Sequence, residues 1–261
     1  MWGAIIGDLA GSIYEFDQVK EVSSVTVNNL IEDNSFFSDD TILTMAVLDA
    51  ILNNGDYETY LRKYALEYID YKPDFSPYFK GMFSPGFTKW ANGNEMGFSA
   101  GNGAMMRISP VGYLFNSREA VMENSYLATI PSHNSSEAIN GAGIVAMIIY
   151  LARMGLSKEE IIKELNLSFS YVPFTKFNKT CNDTISNCLY ATFTSNSFDE
   201  SIRKVISFGG DTDTNACIVG SMAEALYGVD ESLIEKAKSK LPDQFVKKLT
   251  LGYQNIKRFR K

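Results

Sequence analysis

Glycine returns at every fourth position at the start of this chain, as Gly3, Gly7 and Gly11, within the otherwise small and apolar stretch from Trp2 to Tyr14. Residues four apart stack on one side of a helix. The three glycines therefore form a smooth stripe with no side chain, the surface that close contact with a neighbouring helix requires. The spacing predicts a helix over residues 2–14 packed tightly on a partner elsewhere in the chain.

Helical periodicity continues downstream. Ile42, Leu43, Ala46, Val47, Ala50 and Ile51 fall on one broad face, with Ser38 as N-cap and Asn53-Asn54-Gly55 as the stop. Further helices are expected over 57–70, 117–129 and 135–154. Ser157-Lys158-Glu159-Glu160 and Ser197-Phe198-Asp199-Glu200 read as capping boxes opening helices to about Leu165 and Phe208. Another helix is expected from Thr214 to Tyr227 with Gly228 as its stop, and two more start at Asp230 and at Pro242, the proline in the first turn. Residues 18–36 include Val22, Val25, Thr26 and Val27 and read as a loop with a short strand. Residues 71–103 carry Pro73, Pro77, Pro85 and seven aromatic residues between Tyr71 and Trp90, a long connection of the sort that serves function. No strand–helix alternation recurs, so the expected fold class is all-α, in one domain spanning 1–261.

A chain of 261 residues can bury a large core. Its net charge of -7 argues against a nucleic-acid surface, which is basic. Cys181, Cys188 and Cys217 show no CxxC spacing and no disulfide framework, which favours a reducing cytoplasm. The beginning Met-Trp-Gly-Ala-Ile-Ile-Gly-Asp lacks a basic leader, and Asp8 interrupts its apolar stretch. The apolar run from Ala138 to Ala152 is too short for a membrane span and contains Asn140 and two glycines, so it reads as a buried helix. A monomer away from membranes is expected.

Two acidic clusters each open an apolar helix: Ser38-Asp39-Asp40-Thr41 and Asp211-Thr212-Asp213-Thr214. Paired carboxylates with hydroxyl neighbours make a hard-oxygen ligand set, suited to Mg²⁺, Mn²⁺ or Ca²⁺. Each cluster alone is equally a helix cap whose carboxylates complement the dipole. Gly209 and Gly210 free the backbone to turn just before the second cluster. Glu15, at the end of the glycine-spaced segment, is either a surface residue or a functional acid.

Three more features are ambiguous by spacing alone. The loop Gly97-Phe98-Ser99-Ala100-Gly101-Asn102-Gly103-Ala104 could expose N–H groups to a phosphate. Arg107 just beyond it reads as a surface or ion-paired residue. His133 is the one histidine of the chain. With no second histidine or paired cysteine, a zinc hydrolase is excluded, and no serine nucleophile elbow is visible.

In order along the chain, Gly3-Ala4-Ile5-Ile6-Gly7-Asp8 through Glu15-Phe16, Phe37-Ser38-Asp39-Asp40-Thr41, Gly101-Asn102-Gly103-Ala104-Met105-Met106-Arg107, Ser132-His133 and Gly209-Gly210-Asp211-Thr212-Asp213-Thr214 resemble the ADP-ribosylglycohydrolase family. The resemblance implies an orthogonal helical bundle with a centre of two Mg²⁺ or Mn²⁺ ions between the acidic clusters. It implies Ser38, Asp39, Asp40, Asp211, Asp213 and Thr214 as metal ligands. Glu15, Asp39, Asp40 and Asp211 become the candidate catalytic carboxylates. Ser99, Gly101, Asn102, Gly103 and His133 are implied to line the ribose and diphosphate. Ser38 stands where many members carry threonine, and the aromatic connection has no counterpart that aligns.

The reaction so implied is hydrolysis of the bond between ADP-ribose and a modified target, most simply a protein side chain and first of all arginine. Other ADP-ribose conjugates present the same handle. Two alternatives share the residues: an ADP-ribose-binding module without turnover, and a two-metal nucleotide phosphohydrolase.

Overall fold

The computed structural model describes residues 1–15, 24–73 and 81–256. Among them the regular structure is helical: α1 (Trp2–Glu15), α2 (Asp39–Leu52), α3 (Tyr57–Glu67), α4 (Pro85–Asn92), α5 (Gly103–Met106), α6 (Ser109–Leu114), α7 (Arg118–Thr129), α8 (Ser136–Arg153), α9 (Lys158–Glu164), α10 (Cys181–Phe193), α11 (Phe198–Ser207), α12 (Thr212–Tyr227), α13 (Glu231–Lys238) and α14 (Asp243–Asn255). Strand pairing there is confined to two isolated bridges, Phe98 with His133 and Gly101 with Thr180. The fold class is all-α. The short strand expected within 18–36 is absent over 24–36, and Val22 lies outside the described residues.

The glycine stripe of α1 lies against α12. A Cβ placed on Gly3, Gly7 or Gly11 would come 2.1, 2.0 or 2.2 Å from the carbonyl oxygens of Gly220, Ala216 and Thr212. The partner numbers fall as the glycine numbers rise, so the two helices run antiparallel in backbone contact. This pairing brings the C-terminal end of α1, with Glu15, to the N-terminal end of α12, with Asp211 and Asp213.

Around this pair, α12 also contacts α2, α5, α6, α8, α10 and α11. A connected cluster of buried apolar side chains joins all of these, including Ile5, Leu9, Leu43, Leu48, Ile148 and Ile218. The α8 run from Ala138 to Leu151 lies within the core apart from Ile139, Asn140 and Ile144. Among the described residues, no helix is long and apolar enough to cross a membrane.

Most helix starts follow their caps. Ser38 accepts from Asp40 N, Ser117 from Ala120 N and Ser135 from Ala138 N. Ser157 and Glu160 form the reciprocal capping box. At α11 the box is incomplete: Ser197 accepts from Glu200 N, but the Glu200 carboxylate turns to Asn196 N at 2.8 Å instead of the cap residue. Pro242 is the N-cap of α14 and not a residue of its first turn. The aromatic connection holds a helix of its own, α4, capped by Ser84 and opened by Pro85. Pro77, Phe75, Tyr78 and Phe79 lie outside the described residues.

Candidate active site

The N-terminus of α2 is fastened to α1 by Asp8. This buried carboxylate accepts from Ser38 N at 2.9 Å, Ser38 Oγ at 2.8 Å, Thr41 N at 3.1 Å and Thr41 Oγ1 at 2.5 Å. Sequence reading passed over Asp8 as a break in an apolar stretch. A charged residue beside a glycine stripe that must be buried was the available signal.

Asp8, Asp40 and Asp213 come from three different helices and converge. In that trio, and again in Glu15, Asp211 and Asp213, one carboxylate oxygen of each member lies within 4.8 Å of the others. Asp213 belongs to both. The two acidic clusters, distant in sequence, therefore meet through it. Thr214 Oγ1 reaches Asp40 Oδ2 at 3.2 Å, and Ser38 Oγ reaches the same oxygen at 3.1 Å. Asp39, the first residue of α2, stands within electrostatic reach of Asp8, Asp211 and Glu15.

So many carboxylates in a dry place are mutually unfavourable. Burial, then the charges of Asp211, Asp39 and Asp8, push the Glu15 carboxyl up to about 9. Burial, then Asp8 and Asp211, push Asp39 up to about 8. Asp8 rises only to about 6, because its four hydrogen bonds oppose desolvation. Asp40 and Asp213 are driven well above the ordinary range by burial and by their acidic neighbours. Glu15 Oε2 and Asp40 Oδ1 are buried with no hydrogen-bond partner among the described residues. Orphaned lone pairs on converging carboxylates fit a hard divalent cation, which supplies both the charge and the missing partner.

Asp211 is oriented from the side. Asn102 Nδ2 donates to its Oδ2 at 2.7 Å, and Asn178 Oδ1 accepts from its backbone N at 2.9 Å. Gly210 makes the second contact possible: its φ is 76°, and a Cβ there would sit 2.3 Å from Asn178 Oδ1. Asn178 precedes a helix, α10, that sequence periodicity did not reveal, and nothing in the local spacing marks it.

The glycine-rich loop wraps around His133. A Cβ on Gly101 or Gly103 would lie 3.4 Å from His133 Nε2. The loop keeps few free N–H groups, since Gly101 N donates to Ser99 Oγ at 3.0 Å and Asn102 N to Lys179 O at 2.9 Å. Arg107 is neither on the surface nor, among the described residues, in an ion pair. It is fully buried and donates to Ala128 O at 3.1 Å and Ser132 Oγ at 2.8 Å.

Comparison with known proteins places the chain in a family. The profile of the family described as ADP-ribosylglycohydrolase matches residues 1–258. The chain belongs to the ADP-ribosylglycohydrolase family, and the class of protein it represents is an enzyme, an ADP-ribosylglycohydrolase. It is 26% identical to the ADP-ribosylarginine hydrolase Tri1 of Pseudomonas putida, over 95% of this chain and 72% of the relative. It is 24% identical to the human ADP-ribosylhydrolase ARH3, over 88% and 84% of the two chains. A solved structure titled ADP-ribosylglycohydrolase-related protein complex superposes with a TM-score of 0.65 at 19% identity, covering 97% of this chain and 93% of that one. That likeness speaks for the fold.

Proposed function

We propose that this chain, as a single monomeric domain in the cytoplasm, hydrolyses the glycosidic bond between ADP-ribose and a modified protein side chain, arginine first, and releases ADP-ribose. The observation carrying this reading is the convergence of Asp8, Asp40 and Asp213 beside Glu15, Asp211 and Asp213. The free, buried state of Cys181, Cys188 and Cys217 suits a reducing compartment. The name of the Pseudomonas putida relative supports arginine as the attachment residue.

The two trios are the natural seats of two Mg²⁺ or Mn²⁺ ions, with Ser38, Asp39 and Thr214 at their edge. When bound, the ions supply positive charge and Lewis acidity toward the ribose hydroxyls. The chain's own residues do the rest. Asn102 and Asn178 hold Asp211 in place. The clustered carboxylates would stabilise the oxocarbenium-like charge that develops as the aglycone leaves. Glu15, with one oxygen unpartnered, accepts or returns a proton at the departing side. Ser99, Gly101, Asn102 and Gly103 form the wall against which the diphosphate and its ribose rest.

Defined ADP-ribosylated substrates, carrying arginine, serine or a small-molecule aglycone, test the reading with Mg²⁺, Mn²⁺ or excess chelator and with Asp39→Ala as control. Intact ADP-ribose released only with cation is the expected result. Inorganic phosphate or AMP as product, or tight ADP-ribose binding with no turnover on any substrate, would overturn it.

A further inference from the structure

His133 is the one histidine of the chain, and Ser132 and Arg107 hold it from behind. Arg107 Nη2 donates to Ser132 Oγ at 2.8 Å, and Ser132 Oγ lies 2.7 Å from His133 Nδ1. All three side chains are buried, with Arg107 at 0%, Ser132 at 3% and His133 at 5% exposure. We propose that Arg107 and Ser132 are positioning residues that fix His133 as the neutral Nε2–H tautomer and present that N–H, as a hydrogen-bond donor, to the sugar–diphosphate lying against the Gly101–Gly103 loop. The ligand in this inference rests on the hydrolase reading; the tautomer does not.

Proton accounting selects the tautomer. A guanidinium only donates, so Ser132 Oγ accepts from Arg107. The hydroxyl then has one proton to give, and the acceptor within reach is His133 Nδ1. A neutral imidazole that accepts at Nδ1 carries its proton on Nε2. An imidazolium would set N–H against the hydroxyl and strand the serine proton in a dry place. It would also add a second charge near Arg107. Burial first, and the Arg107 charge second, hold the imidazole well below its ordinary range.

Backbone hydrogen bonds fix the segment that carries the ring. Gly97 N donates to Pro131 O at 2.8 Å, Asn134 N to Gly97 O at 2.9 Å and Ser99 N to Ser132 O at 3.3 Å. This lacing closes the loop around residues 131–134. Gly97 allows it, since a Cβ there would meet Ser132 O at 2.4 Å. Nε2 faces Gly101 and Gly103, where a Cβ on either residue would come 3.4 Å from it. Among the described residues Nε2 has no hydrogen-bond partner, whereas Nδ1 has one.

A single histidine makes the test direct. Nitrogen-15 NMR of protein labelled at histidine should show one imidazole with Nδ1 unprotonated and Nε2 protonated, unchanged from about pH 5.5 to 8. An Nδ1–H tautomer, or a ring that titrates near its ordinary value, would overturn the inference in the wild-type protein whatever the variants do. Ser132→Ala removes the one atom joining Arg107 to the ring. With the fold checked by circular dichroism, it should give mixed tautomers and weaken ADP-ribose binding roughly 5- to 10-fold. A folded Ser132→Ala protein with an unchanged tautomer and affinity would remove the positioning role. Adding ADP-ribose to the wild type should shift the Nε2 resonance, and binding without that shift would remove the donor role. Failure of ADP-ribose to bind the wild type at all counts against the hydrolase reading and leaves the free-protein tautomer result standing.

Discussion

Thr212 Oγ1 donates to the Gly11 carbonyl oxygen at 2.9 Å, fastening the first residue of α12 to the glycine stripe of α1. The same turn carries Asp211 and Asp213, so the depth of the helix–helix contact sets where both carboxylates stand. Gly7→Ala tests the dependence, because its methyl would meet the Ala216 carbonyl carbon and oxygen at 2.3 and 2.0 Å. The helices must part, at a cost of about 2–3 kcal/mol. Urea denaturation should show a lower midpoint, and calorimetry a divalent-cation affinity that falls with it although no ligand has changed.

Asp8 joins two tasks, holding the start of α2 and facing Asp40 and Asp213. In Asp8→Asn an amide NH₂ replaces one acceptor oxygen and confronts donors. The expected loss is about 1–3 kcal/mol of stability and about 10- to 100-fold in cation affinity. Asp56→Asn is the control, since Asp56 caps α3 by accepting from Thr59 N at 2.8 Å, away from the carboxylate cluster. It should leave the cation titration unmoved.

Asp213 is common to both trios, which separates its effect on stability from its effect on activity. Asp213→Asn removes one of several crowded acidic groups whose ionisation burial opposes. Under chelation the variant should melt at a higher temperature than the wild type. With Mg²⁺ or Mn²⁺ its ADP-ribose release should fall on the order of 10³-fold or more. A variant that is both less stable under chelation and still active would contradict the shared position.

The raised carboxyls give the cation-free protein a definite pH response. Asp8, Asp39 and Glu15 reach about 6, 8 and 9 when folded, above their values in an unfolded chain. The folded state therefore holds more protons through that window, and stability falls as pH rises. Melting temperature in chelator should drop steadily from about pH 5 to pH 8.5. Mg²⁺ or Mn²⁺ should offset the drop most at the upper end, where the carboxylates are ionised and free to bind it. A flat profile in chelator would refute the electrostatic picture.

The legible part of the fold was whatever announces itself locally. The α1 glycines, the Ser38 and Ser157 caps and the apolar stretches of α2, α8 and α12 all declare helices and their ends. The α10 helix did not, because Thr184, Asn187 and Thr192 are buried on it and blur the apolar period. The α4 helix was hidden by prolines and aromatics that read as loop, although Ser84-Pro85 is a serviceable start signal. In the site, both acidic clusters were visible as paired carboxylates. Asp8, Asn178 and the inward course of Arg107 were not, since each makes a contact across the fold, with Ser38, Asp211 and Ser132 respectively, that lies 25 or more positions away in sequence.

The contact between Thr214 and Asp40 spans 174 residues of chain. A centre drawn from α1, α2 and α12 cannot exist on a nascent chain until α12 has been made, nor in a folding intermediate whose N-terminal helix has not found that partner. Closing so long a loop is entropically slow relative to forming local helices. On the proposed reading, cation capture would report completion of the fold, and a divalent ion bound there would lock α1 and α2 to α12 against reopening.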